Sequence, residues 1–82
     1  MHRHWRNAME VLLFGLIAEK AGADRIQLDA SSLDQLRALL SARVEGLAQM
    51  SYAIAVDRRV VQNDMPFTGA EEIAVLPPFA GG

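Results

Sequence analysis

Two prolines and two glycines, in the order Pro77, Pro78, Phe79, Ala80, Gly81, Gly82, form the stretch of this chain best suited to chemistry. Proline holds the backbone extended and lacks an N–H, whereas glycine leaves the backbone bare. Extended, these residues reach on the order of 20 Å and end in a carboxylate. That group ionises near about pH 3.5 and is a poor electrophile at neutral pH. It reacts only after another enzyme converts it to a mixed anhydride such as an acyl-adenylate. Narrow residues suit the channel of such an enzyme. The expectation is that Gly82 carries the reactive group, and that Gly81, Ala80, Phe79, Pro78 and Pro77 present it.

Little else in the chain could do chemistry. There is no cysteine, and the histidines are His2 and His4, read as solvated residues of an N-terminal extension spanning 1–8. Neither a Ser-His pair nor a metal site is expected. Glu71 and Glu72 adjoin a turn, and because neighbours entering a strand point to opposite faces they read as solvated charges flanking it rather than a paired acid and base. Asp57, Arg58 and Arg59 read as a hydrophilic turn. No glycine-rich phosphate loop is present. A self-contained enzyme is therefore not expected.

A net charge of -2, with no basic cluster beyond the first six residues and Arg58-Arg59, argues against nucleic acid. The longest apolar run, 11–14, is too short to cross a membrane. Lack of cysteine and of a signal-peptide pattern points to the cytoplasm.

The elements that must position the tail follow from pattern. With 51% hydrophobic and 22% charged residues, 82 residues suffice for one small domain with a thin core. Residues 9–14 are almost continuously apolar and read as a central strand. A helical turn or two over 16–21 stops at Gly22. Residues 25–29 alternate as a half-buried strand. Ser31 and Ser32 open the main helix, Ser32 with Gln35 fitting a capping box. Leu33, Leu36, Leu40, Val44 and Leu47 form its apolar stripe, Leu39 widens it, Arg37 and Arg43 read as surface, and Gly46 is the expected stop. Residues 51–56 form another strand, followed by a tight turn into Val60-Val61. Turn residues at 63–66 and 68–71 lead to a last strand, 72–76, ended by Pro77.

One main helix among strands implies an α+β domain over 9–76, with a mixed sheet, the helix on one face, and the tail over 77–82. The first and last strands are expected to pair in parallel at the centre. Phe14, Val60 and Leu76 read as core from periodicity alone, with an exposed partner-binding patch as the alternative.

The residues also resemble a known family. Val11-Leu12-Leu13-Phe14 with Glu19 and Gly22, then Ala55-Val56-Asp57, and above all the run from Glu72-Ile73-Ala74-Val75-Leu76 into Pro77-Pro78 and Gly81-Gly82 are similar to the small sulfur-carrier subunit of molybdopterin synthase. That family belongs to the ubiquitin-like β-grasp superfamily, and the match spans 9–82. The resemblance implies that an adenylating activating enzyme uses ATP on Gly82, and that sulfur then replaces AMP to give a terminal 1-thioglycine. The tail would enter the large catalytic subunit of a heterotetrameric synthase and donate sulfur to cyclic pyranopterin monophosphate in molybdenum cofactor biosynthesis. No cofactor would be stably bound. Phe14, Val60 and Leu76 fall at the family's partner interface.

Departures are Ala18 where arginine is common, Ala70-Glu71 for Gly-Asp, Asp57 for asparagine, and Phe79 and Ala80 in the tail. Alternatives are a sulfur carrier for thiamine or another metabolite, a ubiquitin-like protein modifier, or an interaction module with an inert tail.

Overall fold

The computed structural model describes residues 8–77, so residues 1–7 of the expected extension and Pro78, Phe79, Ala80, Gly81 and Gly82 lie outside the described residues. The first strand, β1 (Ala8–Leu13), begins one residue inside the expected extension because the backbone of Ala8 still pairs with Asp29. It leads into a short helix, α1 (Gly15–Ala21), built of good helix formers. Gly22 ends α1 in the left-handed conformation at φ 74, and the N–H groups of Gly22 and Ala23 return to the Ala18 carbonyl. Strand β2 (Arg25–Asp29) follows, with Ile26 and Leu28 buried as its alternation requires.

The main helix, α2 (Leu33–Arg43), places Leu33, Leu36 and Leu40 wholly inside the core. Ser32 is its N-cap and accepts the N–H of Gln35 at 3.2 Å. The reciprocal arm differs from the expected capping box. Gln35 Oε1 accepts from the backbone N–H of Ser31 at 2.6 Å and from its hydroxyl at 3.0 Å, one residue earlier than the motif predicts.

The helix also stops before Gly46. Val44 is already extended, at φ -112, and Gly46, at φ 84, opens a separate 3-10 turn, Leu47–Gln49. This bend keeps both Val44 and Leu47 fully buried. Arg37 is only half-exposed and lies 5.9 Å from the Tyr52 ring centroid, so it is less freely solvated than its pattern suggests.

Strands β3 (Ala53–Val56), β4 (Arg59–Val61) and β5 (Ile73–Leu76) complete a five-stranded sheet in the order β2-β1-β5-β3-β4. β1 and β5 are parallel at its centre and the other pairs are antiparallel, as expected for this mixed sheet.

The loop before β5 is stitched to the start of α2. Leu33 N–H donates to the Met65 carbonyl and Phe67 N–H to the Ser31 carbonyl, each at 2.9 Å, while Asp64 Oδ1 accepts the N–H of Asp34 at 2.8 Å. Asp64 thereby satisfies a helix N–H that has no partner within the helix. Phe67, carried by this loop, closes the core.

Candidate functional site

Alternation along β1, β5 and β3 sends Met9, Val11, Leu13, Ile73, Val75, Ile54 and Val56 toward α2. Their neighbours point the other way, onto a face that no helix among the described residues covers. Strand register joins these neighbours into rows. Leu12 lies beside Ala74, Ala74 beside Ala55, and Ala55 beside Val60. In the adjacent row Leu76 lies beside Ala53. Leu13 pairs with Val75, and Phe14 continues extended at φ -127, so Phe14 comes level with Leu76.

The residues singled out from sequence therefore share one face. Phe14 is 44% exposed, Val60 57% exposed and Leu76 half-buried. The reading of Phe14 and Val60 as ordinary core is wrong, and Leu76 is only partly buried, because among the described residues the helices pack on the other side of the sheet. Alanines at 53, 55 and 74 make a low floor between the larger side chains. Pro77, half-buried, stands directly after Leu76 at the edge of this face.

A polar rim bounds the face toward β2, where Arg25 and Glu10 pair at 3.0 Å. An apolar centre with a polar border is the composition of a protein-docking surface. Leu16, 50% exposed in the first turn of α1, adds apolar surface at the tail end of the sheet. The signal for it was present: in so short a helix Ile17 faces the core, so its neighbour cannot.

The charged groups do structural work. The carboxylate of Glu71 accepts the N–H groups of Thr68, at 2.8 Å, and Gly69, at 3.0 Å, and the hydroxyl of Thr68. Slight burial raises its pKa, but these bonds outweigh that effect and hold the carboxyl below its ordinary value. Glu71 is thus a loop clamp rather than a freely solvated charge. Asp57 Oδ1 accepts the N–H of Glu72 at 2.9 Å, and Arg58 Nε approaches the Glu72 carboxylate at 3.4 Å.

Among the described residues no group of three or more potential metal-ligating side chains converges. A groove beside β4, lined by Val60, Val61, Gln62, Asn63, Asp64 and Met65, holds a carboxylate already engaged at the start of α2. What the described residues can do is bind a protein surface and hold the root of the tail beside it.

Residues 11–82 match the ThiS family, a span that takes in the sheet apart from the first three residues of β1, and the Gly-Gly end. The chain belongs to the ThiS family. This is a family of small carrier proteins, and the chain is a carrier-type domain of it. No curated protein matches the chain.

Among solved structures, a Pyrococcus furiosus protein provisionally described as molybdopterin converting factor, subunit 1, is similar at 20% identity and a TM-score of 0.79, covering 88% of this chain and 98% of that one. Small archaeal modifier protein 1 of Haloferax volcanii is similar at 18% identity and a TM-score of 0.75, covering 92% of this chain and 99% of that one. The Methanosarcina acetivorans protein of that name gives 18% and 0.73, covering 98% and 100%. At these identities the likeness bears on the fold, a ubiquitin-like β-grasp. No helix among the described residues is long and apolar enough to cross a membrane.

Proposed function

We propose that this ThiS-family chain is the sulfur-donating small subunit of a molybdopterin synthase. The observation that carries the reading is the uncovered apolar face bearing Phe14, Val60 and Leu76, with Pro77 rooted at its edge. A large catalytic subunit docks on that face and receives the tail in its active site. Two such pairs make a heterotetramer.

Before docking, an activating enzyme adenylates the Gly82 carboxylate with ATP, releasing pyrophosphate. A sulfur donor then displaces AMP to leave the thiocarboxylate. In the synthase the thiocarboxylate sulfur passes to the pterin precursor, and water restores the carboxylate. The domain supplies recognition and placement, and Gly82 supplies the reacting group. Gly81 and Ala80 line the narrow passage, with Phe79 just outside it.

The test is a single turnover. Two equivalents of the chain bearing a terminal thiocarboxylate, one for each dithiolene sulfur, mixed with a molybdopterin-type large subunit and cyclic pyranopterin monophosphate, are expected to yield dithiolene and the unmodified chain. Dithiolene formation that persists with a chain lacking Gly82 would overturn the reading.

A second reading, a ubiquitin-like modifier, is favoured by the likeness to the small archaeal modifier proteins and uses the same terminal activation. It predicts Gly82 in isopeptide linkage to lysines of other proteins. The chain's own lysine is Lys20, exposed in the last turn of α1.

A further inference from the structure

Parallel neighbours in a sheet leave it at the same end. Here the register of β1 and β5 ends at Leu13 beside Val75, and two residues further on in each chain segment stand Gly15 and Pro77. Gly15 turns the chain out of β1 at φ +58, a conformation that L side chains rarely adopt. A Cβ built on Gly15 would stand 3.1 Å from Pro77 Cγ, 3.7 Å from its Cβ and 3.9 Å from its Cδ. The proline ring therefore crowds the place that a side chain at position 15 would take.

Gly22 provides an internal comparison. Its φ is +74, yet a Cβ there would meet nothing within 4 Å. Gly22 is required for its backbone alone. At Gly15 the bare Cα serves the backbone and also seats the first residue of the tail.

We propose that Gly15 is a positioning residue, its bare Cα forming the seat on which Pro77 rests and from which the tail takes its direction beside the apolar face. The inference rests on the reading of the tail as the substrate-bearing segment. A rigid seat lowers the entropy lost when a partner enzyme takes up the tail. A side chain at position 15 would shift the proline ring by a few tenths of an ångström and so change the direction in which the tail leaves the sheet, even with the domain folded.

The chain has no cysteine, so Ala80→Cys gives a unique attachment point for a spin label. Paramagnetic broadening of backbone amides then reports where the tail lies. Gly15→Ala is expected to change which amides are broadened. Gly22→Ala, which brings comparable backbone strain, is expected to leave the pattern unchanged. Once Pro77→Ala has removed the ring, adding Gly15→Ala is expected to change nothing further. Pro77→Ala alone is expected to shift the same amides, which tests the seat even if Gly15→Ala does not fold.

With the activating enzyme, Gly15→Ala is expected to raise KM for the chain roughly tenfold with little change in kcat. An unaltered broadening pattern in folded Gly15→Ala, or an equal alteration in Gly22→Ala, would overturn the proposal. If the native chain is never activated, the sulfur-carrier reading fails, while the spin-label result still decides the seat.

Discussion

Replacing Val60 with glutamate separates docking from folding. Val60 is 57% exposed on the edge strand β4, and its row neighbour across the sheet is the small Ala55. The substitution removes no core contact, so the folded domain loses about 0.5 kcal/mol or less. Fully burying a valine side chain is worth at least about 1.5 kcal/mol, and the part of Val60 still exposed leaves about 1 kcal/mol to be gained against a partner. An unpaired carboxylate forced into that interface costs about 1–3 kcal/mol more. The sum, about 2–4 kcal/mol, weakens Kd by about 30- to 1000-fold. Isothermal titration against the large subunit measures this loss, and a urea transition measures stability. Gln49→Glu, which adds the same charge on the exposed 3-10 turn, is expected to leave Kd unchanged. A Val60→Glu chain that binds as tightly as the native one, with the same urea midpoint, would refute the assignment of this face.

Arg58→Gly is expected to stabilise the domain. Asp57 and Arg58 make the two-residue turn between β3 and β4 at φ 52 and φ 71, and the second position of such a turn favours glycine. Relief of that strain exceeds the loss of the exposed Arg58–Glu72 pair and the added freedom of the unfolded chain, so the net gain is about 0.5 kcal/mol and Tm rises by about 2–4 °C. A lower Tm would show that the arginine is not strained. Ser32→Ala removes the acceptor for Gln35 N–H, costing about 1 kcal/mol and lowering Tm by about 4–8 °C; calorimetry reads both values. Glu71 provides the pH test. Its carboxyl lies below the ordinary value of 4.5, so its contribution is complete above that value and fades as pH falls through the lower, folded value. Glu71→Gln is expected to reduce stability at neutral pH and to flatten the acid limb below pH 4.5, as followed by urea midpoints across pH. Parallel acid limbs in the two proteins would contradict the clamp.

The fold was legible wherever local pattern carries the physics. The 25–29 alternation, the helical stripe of Leu33, Leu36 and Leu40, and the Gly22 stop each depend on neighbours a few residues away, and each matches the structure, whereas Val44 and Leu47 are buried as expected but lie beyond the helix. The parallel central pairing followed from one crossover helix. What depends on distant partners was less legible. Phe14 and Leu76 lie in runs as apolar as a strand buried on both faces, and only the assembled sheet reveals that one face has no cover. Asp64 at the start of α2 and Glu71 on the Thr68 loop look like ordinary turn residues until the loop folds back. The Gln35 arm shifted to Ser31 because that residue's backbone is held by Phe67, a contact more than thirty positions away in sequence. Nothing local marks Gly15, which follows the 9–14 run. Its second role needs the register that brings Pro77 alongside.

The central claim is that Gly82 is the reacting residue, and the most direct measurement is the mass of the C-terminal peptide. After incubation with a cognate activating enzyme, ATP and a sulfur donor, the account predicts a gain of about 16 Da, oxygen exchanged for sulfur, confined to the peptide ending in Gly82. No gain with an activating enzyme proven to bind the chain, or an equal gain in a chain lacking Gly82, would contradict it.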